Sequence, residues 1–302
     1  MAVTSAGLAE RAAEAFAASV PIRPADDGFF GPRSVTWKLA GHMTMPVVAI
    51  RALLLQALHP LAMAGVDQHS DWRADPGARL ASTSAYVATI SYGDRASATR
   101  AAERVRRIHQ SVRGTDPVTG RPYAATDPAL LLWVHNALTD SQLAGVRAFG
   151  SVAEHDADRY VAEQVAAAEL IGIPRELAPT TTGELAAYFD EVRPELACTP
   201  AAAEAMTYLL EYIAADADAG ESWRDVADAA IATLPGWAIA LYAEKVKGIG
   251  GGTGRSVKLD LEARIAVKQA LGVLDAVFLA EPGVLEARQR LQLRIRQAEA
   301  SS

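Results

Sequence analysis

Apolar residues return every three to four positions through long, alanine-rich stretches of this chain, and runs of β-branched residues are short. That period puts apolar side chains on one face of a helix, and alanine and leucine favour helix over sheet, so the expected fold class is all-α. Half of the 302 residues are hydrophobic, enough to bury a sizeable core. No internal repeat or domain boundary interrupts the pattern, which predicts a single all-α domain over residues 1–302.

Prolines, glycines and capping side chains mark where the helices break. Ala2 to Val20 reads as an amphipathic helix closed by Pro21 and Pro24. Val47 to Leu58 is almost continuously apolar with Arg51 embedded in it, so that guanidinium needs an anionic partner: an Asp, a Glu or a cofactor carboxylate. His59-Pro60 ends or kinks this helix, because a residue before proline is pushed out of the α region. A loop through Asp67, His69 and Asp71 follows, with His69 read as solvated. Asp75-Pro76 then opens a helix that carries Arg79 and Thr83 on one face, continued by Tyr86, Val87 and Ile90. Ala96 to Val112 is a charged amphipathic helix in which His109 has no evident chemical task. Arg113 to Asp127, with Gly114, Pro117, Gly120 and Pro122, reads as a loop. Asp127-Pro128 opens the next helix, to about Phe149, with His135 on a stripe with Leu131, Leu132, Leu138, Thr139 and Gln142. Further helices are expected over Thr182–Val192, Ala201–Ala214, Trp223–Leu234 and roughly Lys258–Ala298, the last broken near Glu281-Pro282-Gly283.

Several function classes drop out. The net charge is −7 with basic and acidic residues interleaved, which argues against a nucleic-acid partner. The single cysteine, Cys198, rules out an intrachain disulfide and any Cys-rich metal site. The most apolar window, Met43 to Val66, is interrupted by Arg51, Gln56, His59 and Pro60, so it reads as a buried helix and not a transmembrane segment. The N-terminal stretch, with Glu10, Arg11 and Glu14, lacks the basic start and apolar run of a signal peptide, and a cytoplasmic location is expected. Gly248 to Ser256 imitates a phosphate loop, but Ile249 stands where the first glycine belongs and Arg255 where lysine belongs, so a flexible loop is the better reading.

The six histidines, at 42, 59, 69, 109, 135 and 155, form no His-Glu-x-x-His or Glu-x-x-His pair, and no Gly-x-Ser-x-Gly elbow is present. Zinc, di-iron and serine-hydrolase chemistry are therefore unsupported. His135 on its apolar stripe is a core histidine or a ligand, and periodicity alone leaves both open.

Three ordered segments carry a resemblance. Arg51-Ala-Leu-Leu-Leu-Gln-Ala-Leu-His59-Pro60, Asp75-Pro-Gly-Ala-Arg79-Leu-Ala-Ser82-Thr83 and Leu131-Leu-Trp133-Val-His135 together resemble the latex-clearing protein and MpaB-type oxygenase family. The resemblance runs from about Trp37 to Gly150 and continues more weakly through Leu234-Pro-Gly-Trp237. It implies a globin-like helical core enclosing haem b, with added helices at both ends and residues 151–302 packed on that core. It makes His135 the proximal iron ligand and places Arg79 and Thr83 near the haem as catalytic candidates. Arg79 and Arg51 then pair with the haem propionates, or else with a nearby Asp or Glu. His59 bonds a propionate or caps the kinked helix.

The implied activity is that of a haem-dependent oxygenase, using molecular oxygen and an electron donor on a small apolar, isoprenoid- or lipid-like substrate. The alternative is a globin-like haem or oxygen binder, a sensor or carrier that turns nothing over. The chain departs from the family pattern in two places. Ser82 stands where latex-clearing enzymes carry a lysine on the distal side of the iron, and the apolar surroundings of Met63 offer no counterpart to the glutamate of rubber cleavage.

Overall fold

The computed structural model of the chain describes residues 6–74, 76–215, 220–243, 245–246 and 259–301. Helices dominate them: α1 (Ala6–Ser19), α2 (Val35–Ala40), α3 (Met45–Gln56), α4 (Pro60–His69), α5 (Pro76–Tyr92), α6 (Arg95–Ser111), α7 (Pro128–Phe149), α8 (Glu154–Ile171), α9 (Thr182–Val192), α10 (Pro200–Ala214), α11 (Gly220–Ala232), α12 (Gly236–Ala243), α13 (Leu261–Ala280) and α14 (Val284–Ala300). The fold is all-α, as the periodicity requires. Asp75, Lys258 and the glycine run Gly248 to Ser256 lie outside the described residues.

The breaks follow the proline and capping chemistry. α3 and α4 meet at His59-Pro60 with a bend of 104°, and proline occupies the first turn of α4. α7 begins at Pro128 behind Asp127, whose carboxylate accepts from the Ala129 amide. The last helical stretch parts at Glu281-Pro282-Gly283, where Gly283 adopts φ 82°, a left-handed value that favours glycine.

Two expectations need correction. Asp67 to His69 is the last turn of α4 and not a loop. Arg113 to Asp127 contains an antiparallel hairpin, β1 (Arg113–Thr115) and β2 (Pro122–Ala124), with Gly114 opposite Tyr123. The hairpin forms because Asp116 accepts from the Val118 and Thr119 amides and the Thr119 hydroxyl, closing a tight turn at Gly120. The Tyr123 hydroxyl donates to Gln68 Oε1 at 2.8 Å, tying the hairpin to α4.

α3 and α7 pack antiparallel and set the frame for everything around them. At one end Trp133 Nε1 donates to the Gln56 carbonyl and Gln56 Nε2 to the Val134 carbonyl, both at 3.0 Å. At the middle Arg51, its side chain 3% exposed, pairs with Asp140 at 2.7 Å and donates to Ser141 Oγ at 2.8 Å and to the Thr233 carbonyl at 3.0 Å. At the far end Gly145 meets Val48 so closely that an added Cβ would lie 2.6 Å from Val48 Cγ2. One hydrophobic cluster joins buried residues from Val35 to Leu274 around this pair.

The Gly145 contact yields a stability prediction. Alanine gains about 1 kcal/mol of helix propensity over glycine, but overpacking a filled core costs roughly 1–3 kcal/mol. The clash wins, and Gly145→Ala unfolds at lower urea than wild type. Adding Val48→Ala makes the room and moves the midpoint of the double variant back up; a midpoint that falls further contradicts the contact.

Candidate functional site

A cavity of about 460 Å³ opens beside α7, walled by residues of α4, α5, α6, α8 and α10 as well. Its size falls in the roughly 300–1,000 Å³ of sites that take cofactors and small ligands. Each helix contributes one face. α7 supplies Leu131, Val134, His135 and Leu138, and α5 supplies Arg79, Thr83, Tyr86 and Ile90, both at the three- to four-residue step of a helix. The walls are mostly apolar, and Ile108 and Val134, exposed at 54% and 41%, are two of their side chains.

His135 is held by its helix. The bonds of Trp133 and Gln56 fix α7 one and two residues before it, and the Thr139 hydroxyl donates to its carbonyl at 3.0 Å. Its ring has no hydrogen-bond partner among the described residues. Burial pushes the imidazole down to about 4, so it stays neutral and keeps a lone pair for a metal. The companions expected on its stripe divide. Leu131, Leu138 and Thr139 share the cavity, Leu132 packs with Val165 and Ile173, and Gln142 donates to the Leu39 carbonyl at 2.7 Å.

Arg79 lines the same cavity. Its guanidinium donates to the Ser70 hydroxyl and has no carboxylate partner among the described residues. Burial lowers its pKa from the usual arginine value, the mark of a cation short of a counter-charge. Thr83 is exposed at the cavity edge, its hydroxyl donating to the Arg79 carbonyl at 3.0 Å. Ser82 turns outward, donates to that same carbonyl and is absent from the lining.

Arg51 and His59 stand elsewhere, and neither is among the lining residues. An anionic partner of Arg51 is Asp140, and its Nη1 and Nε donate to Ser141 Oγ and to the Thr233 carbonyl, so this guanidinium is paired within the protein. His59 is buried 5.9 Å from the Trp133 ring, at the N-cap position of α4, but its side chain makes no capping bond and its Nδ1 has no partner. Burial lowers its pKa, which suits a neutral packed imidazole.

Two further histidines reach the cavity wall. His69 is exposed yet tied, its Nε2 lying 3.1 Å from the Arg113 carbonyl at the cavity rim. His109 lines the cavity, and burial lowers its pKa. The signal for His109 was present: it sits four residues after Val105 and three before Val112, on the apolar side of a helix whose other residues are mostly charged.

Among the described residues no group of three or more His, Cys, Asp or Glu side chains is placed to hold a bare metal ion. What the cavity offers instead is the neutral imidazole of His135 on α7, further imidazoles from His69 and His109, one guanidinium without a carboxylate partner among the described residues, and extensive apolar wall. These fit a flat apolar cofactor that carries its own metal and its own acid groups. Among the described residues no single helix is long and apolar enough to cross a membrane.

A family model described as "ER-bound oxygenase mpaB/B'/Rubber oxygenase, catalytic domain" matches residues 37–247. No curated protein and no solved structure matches the chain.

Proposed function

The chain belongs to the mpaB/B' and rubber oxygenase catalytic-domain family, and on that premise we propose that it is a haem b-dependent oxygenase acting on a small apolar, isoprenoid- or lipid-like substrate. The observation that supports this most is that Arg79, Thr83 and His135, from two segments far apart in sequence, line one apolar cavity. In this reading the helices around the cavity are a globin-like haem-binding core within a single all-α unit, and the remaining helices brace it.

Haem, when bound, supplies a redox-active iron at which molecular oxygen is activated. His135 ligates the iron through one ring nitrogen, which its neutral state allows. Arg79 gains its missing counter-charge from a propionate, a pairing that guanidinium geometry favours. The apolar walls exclude water and take the substrate. Thr83, with its proton engaged by the Arg79 carbonyl, presents oxygen lone pairs at the cavity edge and accepts a hydrogen bond there. Electrons come from an external donor.

One observation favours the second reading, a carrier or sensor: among the described residues no Asp, Glu or Lys lines the cavity, so these residues supply it no carboxylate base. Oxygen uptake separates the two. The hemin-loaded protein, given a reductant and polyprenyl, terpenoid or fatty substrates, consumes oxygen and yields a product heavier by oxygen on mass spectrometry. Reversible oxygen binding with no product from any of them identifies a carrier.

A further inference from the structure

Most polar groups in the cavity wall are already committed to the protein. Tyr123 donates to Gln68, Gln164 to Thr36, Tyr208 to the Arg73 carbonyl, and Thr83 and Thr139 to carbonyls of their own helices. His109 is an exception. Its Nδ1 is enclosed by protein with no hydrogen-bond partner, and its Nε2 has none among the described residues either.

The two nitrogens are unequal, and that decides what the ring can do. A neutral imidazole carries one proton, and a buried N–H without an acceptor costs roughly 1–3 kcal/mol. In either tautomer Nδ1 stays unsatisfied, and the tautomer with the proton on Nε2, the nitrogen that is not walled in, is the one that gives the ring a donor for a bound ligand. With its proton on Nε2 the ring donates a hydrogen bond and has no lone pair there for a metal. His135 is the ligand type of the cavity; His109 is the donor type.

We propose that His109 donates an Nε2 hydrogen bond to the exchangeable small ligand of the haem that His135 holds, and so positions it. The inference rests on the haem reading above. It assigns to α6 the polar contact that Ser82, pointing outward with its proton on the Arg79 carbonyl, does not make.

Azide, titrated into the full-length ferric protein reconstituted with hemin, tests it. His109→Ala weakens azide binding by about 10- to 100-fold, the range for losing a hydrogen bond to a charged group. Hemin affinity changes by less than about threefold. His109→Gln, which keeps an N–H donor, recovers part of the azide affinity, a rescue that a merely structural residue would not show. Azide affinity equal to wild type in His109→Ala overturns the proposal. So does a wild-type ferric spectrum of a low-spin bis-imidazole centre that His109→Ala converts to high spin, because that makes His109 an iron ligand. A wild-type chain that binds no hemin ends the haem reading and this inference together, whereas hemin binding with unaltered azide affinity ends this inference alone.

Discussion

His135→Ala lowers hemin affinity by on the order of 100-fold or more, because losing even a partner that merely orients a metal ligand costs about 10–100-fold. The loss is large but incomplete, since the apolar walls still bury the ring of the cofactor. The folded state is little disturbed. The His135 ring faces open cavity and has no hydrogen-bond partner among the described residues, so its removal orphans none of them. Helical circular dichroism stays at the wild-type level, and free imidazole, entering the space left behind, restores the Soret band. A variant that keeps the wild-type Soret band and hemin retention shows that another residue holds the iron.

Arg79→Met separates binding from stability. In the folded chain the Arg79 guanidinium is half-buried, bonded to Ser70 and without a carboxylate partner among the described residues. Methionine fills similar space without a charge to desolvate, so the unfolding free energy of the hemin-free protein holds or rises. Hemin affinity falls by about 10- to 100-fold, as expected for one lost charge-assisted hydrogen-bonded contact to a carboxylate. Urea denaturation without hemin and a hemin titration together read the two signs. A purely structural Arg79 gives the opposite result, lower stability with hemin affinity intact.

How much of this was legible in the sequence depends on range. Local chemistry was: the turn at His59-Pro60, the Asp127-Pro128 start of α7 and the break at Glu281-Pro282-Gly283 are each written within a few residues. So was the face of α7 that carries His135, because helical period alone aligns it with Leu131 and Leu138. Partners distant in sequence were not. Arg51 visibly needs an anion, but nothing near it says that the anion is Asp140. The hairpin escaped because its glycines and prolines look like any loop until Asp116 closes the turn and Tyr123 finds Gln68 on α4. His109 escaped because a helix dense in Arg and Glu hides a short apolar face, and only the packing of α6 shows what that face meets.

The cavity between α5, α6 and α7 is proposed above as a haem site. Titrating the purified full-length chain with hemin and following the Soret region tests it most directly. The expected result is a shifted, sharpened Soret band that saturates at one hemin per chain and is lost or displaced in His135→Ala. A spectrum that stays that of free hemin at every ratio contradicts it.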